Sequence, residues 1–327
     1  MIFPGCTVLL YHRITSNAAY HGRAWRDCEA FLPNLGLFVD SEAFARQMEL
    51  LRDEFEILHP LEFVRRPQRL FRNLGRRKVL VTFDDGYRDN FECALPILER
   101  YDIPAIFFVT TGFIDHVAYP WWFELERWIG SANTLDPDGQ ILSEPLSVET
   151  VSQKYEAWDR LYPILRSAPQ SLIKSFLRSR GFPEQQRYIS ESLFPSWDAL
   201  RRSASNPLVT LGAHSVSHSA FAHESAHFVA EECRASHEAL VRKAGVSPKV
   251  FAYPFGDSSA IGEQAIEVLR DVGLYSLGFT TEERPIGRQD ARRRFQIPRV
   301  HVDYFDSLVG FRNKVTGRDT ILSYLRP

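Results

Sequence analysis

Lys78-Val-Leu-Val-Thr-Phe-Asp-Asp-Gly-Tyr87 is the stretch from which the rest of the chain is read. Residues 79–83 are apolar or β-branched without interruption, the pattern of a strand buried on both faces. The run stops abruptly at two carboxylates, Asp84 and Asp85, followed by Gly86. In an α/β barrel the C-terminal strand ends form the active-site face, so charges at such an end are placed for chemistry. An Asx turn, or an N-cap ahead of a helical pattern at 89–101, is the competing explanation for the same two residues.

Working outward, similar runs occur at 7–11, 105–109, 208–211, 250–252 and 275–279, and all read as buried strands. Helical periodicity occupies 41–54, 89–101, 225–244 and 262–272. Strands alternating with helices argue for a mostly parallel sheet, open or closed into a barrel. The stretch at about 119–198 breaks this rhythm, with little strand signal and several aromatic-rich helical patterns. It reads as a helical insertion in a single domain spanning 1–327.

Composition narrows the function classes. With 39 basic and 41 acidic residues the formal charge is -2, so nothing global draws the protein to nucleic acid or to an anionic membrane. Cys6, Cys28, Cys93 and Cys233 show no CxxC spacing, which argues against a disulfide framework or a thiolate zinc site. The N-terminus lacks a basic segment ahead of its short apolar run, and no stretch approaches the roughly 20 apolar residues of a membrane span. The expectation is a cytoplasmic protein, at most in peripheral contact with the inner face of a membrane.

A second strand, 208–211, runs into Gly-Ala-His214-Ser-Val-Ser-His218. If the chain turns helical there, the four-residue spacing stacks both imidazoles on one face, although a capped helix start with surface histidines is the commoner use of such a pattern. Two histidines and one carboxylate make a three-ligand zinc-type site with an open position, and the second carboxylate is then free to act as base. That is machinery for hydrolysing an amide or an ester.

Thr82-Phe-Asp-Asp-Gly-Tyr87 and His214-Ser-x-x-His218 closely resemble the first two signature motifs of the polysaccharide deacetylases, carbohydrate esterase family 4. The resemblance implies a distorted (β/α) barrel of fewer than eight strands. It also implies that Asp84 is the general base, that Asp85, His214 and His218 bind a divalent metal, and that a backbone donor near Tyr87 serves the oxyanion. Zinc is the default metal, and Co2+, Ni2+ or Fe2+ suit the same ligands.

Phe251-Ala-Tyr253-Pro254-Phe255-Gly256 looks like the family's third, groove-lining motif, but Ala252 stands where the family has an arginine. Arg299, in Gln296-Ile-Pro-Arg-Val-His301, is the candidate replacement, because a guanidinium can hold a carboxylate ionised and oriented; a barrel-surface arginine is the alternative. The family's general-acid histidine normally follows a C-terminal strand. Here Thr7-Val-Leu-Leu-Tyr-His12 has that character instead and resembles the opening strand of a circularly permuted branch. First and last strands of a barrel are neighbours, so His12 can deliver the same group, with His301 as the rival.

The aromatic run from Tyr119 to Trp128 offers one or two sugar-stacking rings among residues that mostly pack the insertion, and Arg292-Arg293-Arg294 reads as a solvated face. The expected activity is metal-dependent removal of acetate from an N-acetylated sugar in a glycan, or in a lipid- or nucleotide-linked glycan precursor. Hydrolysis of another non-peptide C–N bond and an inactive carbohydrate-binding protein of the same fold are the rivals.

Overall fold

The computed structural model describes residues 5–15, 31–65, 77–137, 139, 141–179 and 192–318. Seven strands form the main sheet: β1 (Cys6–Tyr11), β2 (Lys78–Phe83), β3 (Ala105–Val109), β4 (Val209–Ala213), β5 (Val250–Ala252), β6 (Leu277–Phe279) and β7 (Val300–His301). Their spatial order is β6-β5-β4-β3-β2-β1-β7, with every pair parallel. A two-residue strand, Glu56–Ile57, adds beside the first residues of β2. Within this sheet β1 therefore lies between β2 and β7.

The two edges of this sheet are joined by the segment leading into β7. The Ile297 N–H donates to the Gly278 carbonyl at 2.8 Å, and the Thr280 N–H donates back to the Ile297 carbonyl at 2.8 Å. Three residues later the same segment pairs with β1, Leu9 opposite Val300 and Leu10 opposite His301. The result is a small, irregular barrel, in keeping with the fold the motifs imply.

Alternation along the strands sorts their side chains into two apolar clusters, as the period of 2 requires. Val8, Leu80, Ile106, Phe108, Val250, Leu277 and Phe279 fill the barrel. Leu9, Tyr11, Val81, Phe83, Phe107, Val109, Leu211 and Phe251 face outward beneath the helices. This explains why the strands read as unbroken apolar runs: both faces are covered. Gly212 is required by the interior packing, since a Cβ there would come within 2.4 Å of Phe108 Cδ1.

The helices follow local rules closely. Ser41–Glu54 starts where Asp40 accepts hydrogen bonds from the Glu42 and Ala43 N–H groups, at 2.9 and 3.2 Å. Asp257 caps Ser258–Val272 in the same way, so that helix begins four residues earlier than its periodicity suggests, and Gly262 kinks it with φ 68. Between β3 and β4 lie the helices Trp121–Ser131, Val151–Arg166 and Gln170–Ser179. Trp121, Ile129, Trp158, Leu161 and Phe176 join them to the outer apolar layer.

Phe83 ties sheet to helix: its ring stacks on Phe107 at 4.9 Å and meets Phe44 of the helix Ser41–Glu54 edge-on at 5.9 Å. Phe83→Ala is expected to cost about 3–5 kcal/mol of unfolding free energy, measured by urea denaturation, because the cavity is walled by rigid strands.

Candidate active site

The candidate carboxylates and histidines sit at or just past the ends of strands, and Arg299 directly precedes β7. The Asp84 N–H still belongs to the ladder, donating to the Tyr11 carbonyl at 2.9 Å, and the His214 N–H does the same to the Val109 carbonyl at 3.0 Å. One residue later the chain leaves the sheet, at Asp85 with φ 70 and Gly86 with φ 77. A Cβ at Gly86 would lie 3.3 Å from the Val109 Cα, so glycine lets this turn pass over β3.

His214 and His218 come together, but not by the helical stacking that their spacing suggests. Residues 214–218 form a non-helical turn with Ser215 at φ 65 and His218 at φ 57. Left-handed backbone at these two non-glycine positions reverses the chain and brings the imidazole centroids to 5.0 Å. A helical period is thus the wrong route to a correct proximity.

Ligand atoms of Asp85, His214 and His218 all lie within 4.8 Å of one another, and all three residues are buried. Asp85 Oδ1 is 3.2 Å from His218 Nε2 and 3.5 Å from His214 Nε2. His214 Nδ1 lies 2.8 Å from the Ala252 carbonyl, which can only accept, so the ring's proton is on Nδ1 and Nε2 presents a lone pair. Burial pushes the His214 imidazole down to about 4, which keeps it neutral. Asp85 Oδ1 has no hydrogen-bond partner among the described residues. One carboxylate and two imidazole nitrogens converging on one point fit a divalent cation of the zinc type.

Asp84 faces the other way. Arg299 Nη1 and Nη2 donate to its two oxygens at 2.6 and 2.7 Å, while Arg299 Nε donates to the Thr280 carbonyl at 2.9 Å. Asp84 is 2% exposed and Arg299 0%. Burial alone would raise the Asp84 carboxyl, but the Arg299 charge and its bonds outweigh it and hold Asp84 below the usual range. Asp84 Oδ2 also stands 3.8 Å from His214 Nε2, beside the three-residue cluster. The carboxylate pair is thereby divided, one member clamped by arginine and the other facing imidazoles, and Asp84 is not a helix cap.

His12 follows β1 and His301 ends β7, so neighbouring strands bring their rings to 5.3 Å, edge to face. Both line the same cavity as Asp84 and Asp85, a space of about 340 Å3. Burial lowers His12, against the raising effect of Asp85 and Asp84. Burial, then His12, pushes His301 down to about 3. His12 Nδ1 and His301 Nε2 are both buried without a protein hydrogen bond among the described residues.

The remaining sequence candidates separate. Phe255 lines the cavity and its ring lies 4.7 Å from His218. Tyr253 points into the core, its hydroxyl donating to the Phe295 carbonyl at 3.1 Å, and Pro254 is buried beside it. The Tyr87 ring is likewise buried, stacked on Phe194 at 5.2 Å, with its phenol beside Asp85, whose negative charge adds to burial in raising it. Asn34, Tyr162, Arg166, Thr281 and Glu283 line the cavity without having been singled out in the sequence. Tyr162 and Arg166 lie one turn apart in the helix Val151–Arg166, where periodicity marks an amphipathic helix but not which face meets a cavity. Arg166 pairs with Asp257 and sits 5.1 Å over the Phe255 ring. Among the aromatic run, Trp122 reaches the cavity.

A family model for polysaccharide deacetylases matches residues 71–277, which include Asp84, Asp85, His214 and His218. The chain belongs to the polysaccharide deacetylase family. It is 24% identical over 282 residues to the poly-beta-1,6-N-acetyl-D-glucosamine N-deacetylase of Escherichia coli (strain K12), covering 85% of this chain and 35% of that protein. The chain thus spans about a third of the length of that relative. Among solved structures it resembles Streptococcus pyogenes deacetylase PplD in complex with acetate, with TM-score 0.61, 17% identity and coverage of 95% and 98% of the two chains. IcaB from Ammonifex degensii superposes with TM-score 0.56 at 19% identity, covering 95% and 97%. These likenesses show a common fold. In this member of the family the place of the motif arginine is taken by Ala252, whose carbonyl holds His214.

Removing Arg299 strands a buried carboxylate, so Arg299→Met is expected to cost about 3–5 kcal/mol of stability at neutral pH. Because the folded-state pKa of Asp84 is depressed, the pair's contribution is present above the unfolded value of about 3.9 and is lost as pH falls through the folded value. Denaturant midpoints of wild type and R299M should therefore be farthest apart near neutrality and converge below about pH 4.

Proposed function

We propose that the chain hydrolyses the acetamido group of an N-acetylated sugar, in a glycan or a glycan precursor, to acetate and a free amine. The observation that carries this reading is the position of Asp84, ionised by Arg299 and set 3.8 Å from His214 Nε2, at the edge of the Asp85, His214 and His218 cluster. A divalent cation held by those three residues would supply Lewis-acid polarisation of the acetyl carbonyl and acidify water. Zn2+ is the ion their donor set favours, with Co2+, Ni2+ and Fe2+ as substitutes.

The protein's own groups divide the proton transfers. Asp84 accepts the proton of the attacking water; Arg299 keeps it ionised beforehand and fixes the plane of its carboxylate, leaving further lone pairs for that proton. His12 gives a proton to the departing nitrogen. Its place after β1, beside β7, is what supports assigning the chain to the circularly permuted branch of the family. Backbone N–H groups at the turn around Tyr87 are the proposed oxyanion donors, and Phe255 and Trp122 shape the wall beside His218. An arginine missing at Ala252 would by itself favour an inactive protein of the same fold; Arg299 on Asp84 supports an active one.

Relatives named for poly-beta-1,6-N-acetyl-D-glucosamine favour a polymer of N-acetylglucosamine as substrate. A lipid- or nucleotide-linked precursor is the second substrate class and would go with a cytoplasmic position at the inner face of a membrane. Acetate release measured on both classes, with and without chelator, decides between them. Expected results are zinc-dependent release, loss of bound zinc in Asp85→Ala, and a fall of about 100-fold or more in kcat for His12→Ala, with a smaller effect in His301→Ala. Undiminished release from folded, metal-stripped protein would sink the reading, and a larger loss in H301A would move the acid to β7.

A further inference from the structure

The turn carrying the two histidines holds left-handed backbone at Ser215 and His218, φ 65 and 57, and such strained conformations persist only when their surroundings fix them. The turn itself provides one bond, from the His218 N–H to the Ser215 hydroxyl at 3.0 Å. Other bonds come from separate elements. The Thr111 and Gly112 N–H groups, just past β3, donate to the Ser215 and Val216 carbonyls at 3.2 and 3.0 Å. Glu232, in the helix Ala226–Ala239, sets a single oxygen, Oε2, 2.8 Å from the Val216 N–H and 2.8 Å from the Ser217 N–H. Gln170, the first residue of the helix Gln170–Ser179, donates its side-chain amide to the Ser217 carbonyl at 3.1 Å.

Glu232 is 8% exposed and Gln170 9%, so water does not replace them easily. Two consecutive amides on one carboxylate oxygen form an anion nest built from the backbone between the histidines. Without that oxygen, two adjacent buried N–H groups lose their acceptor, and the turn gains by rearranging to find others. Any such rearrangement moves His218, which directly follows Ser217.

We propose that Glu232 and Gln170 are positioning residues for metal retention: together they lock the turn in the one conformation that aims His218 at Asp85. Through Gln170, the helical region between β3 and β4 becomes part of the metal site's support, a role separate from lining the cavity. The inference rests on the metal-site reading above.

Zinc affinity, measured by chelator competition on wild type, Glu232→Ala, Glu232→Gln and Gln170→Ala, tests it, with circular dichroism confirming the fold of each. Glu232→Ala should loosen zinc by about 10- to 100-fold, the range typical of lost support behind a ligand. Glu232→Gln keeps one acceptor oxygen and should recover most of that loss, while Gln170→Ala should shift in the same direction by less. Excess zinc should restore kcat in E232A, which general damage to the fold would not allow. A folded E232A that binds zinc as tightly as wild type overturns the role of Glu232, and wild-type affinity in Q170A overturns the role of the helical region. Should E232A fail to fold, Glu232→Met, which keeps the bulk without an acceptor, and Q170A decide: wild-type affinity in both overturns the proposal. A wild type that binds no zinc overturns the metal-site reading itself, a distinct result.

Discussion

A buried carboxylate next to two imidazoles and a second carboxylate stays ionised only if something nearby compensates its charge. Arg299 does this for Asp84, with two bonds below 2.8 Å and no solvent on the guanidinium. The guanidinium is itself anchored on the Thr280 carbonyl and lies over the ring of Phe108 at 5.3 Å, at the top of the barrel interior. Burying such a pair is costly in desolvation, and it holds because the two-point contact with Asp84 is joined by bonds from Arg299 to the Thr280 carbonyl and the Thr82 hydroxyl. The consequence reaches the whole sheet. Arg299 belongs to the segment that joins β6 to β1, so the ion pair links the closure of the barrel to the mouth of β2.

Around that pair the backbone is held away from its easy conformations. Of the six described non-glycine residues with positive φ, four belong to the site: Asp85, Ser215, His218 and Phe255. Each such residue costs on the order of 1–3 kcal/mol, offset by the surrounding bonds. The strain has a use here, because a strand ending in regular geometry would send its next side chain outward or inward along the pleat. A left-handed residue at the strand end turns Asp85 toward His218, and another turns His218 back toward Asp85.

The region between β3 and β4 meets this centre from the side. Trp122, Tyr162 and Arg166 contribute walls, and Gln170 reaches the histidine turn. Its helices are individually ordinary amphipathic helices, one with a full capping box at Thr150 and Gln153. Their importance lies in where the barrel puts them, over the C-terminal ends of β3 and β4.

The sequence by itself determined the strands at 78–83, 105–109 and 250–252, the helix at 41–54 and the pairing of Asp84-Asp85 with His214 and His218. These are set by local pattern: unbroken apolar runs, an N-cap aspartate, and polar residues placed where such runs stop. It could offer Arg299 and His12 only as candidates, since neither stands where the motif pattern places its arginine or its acid histidine. Tertiary structure decided that Arg299 clamps Asp84, that His12 and His301 face each other across β1 and β7, and that the histidine turn is not helical. It also decided that Tyr253 and the Tyr87 ring belong to the core, while Arg166 and Tyr162 line the cavity. The physical reason is the same in each case. Periodicity reports which face of an element is buried, whereas what that face meets depends on parallel strands that close a ring between residues far apart in the chain.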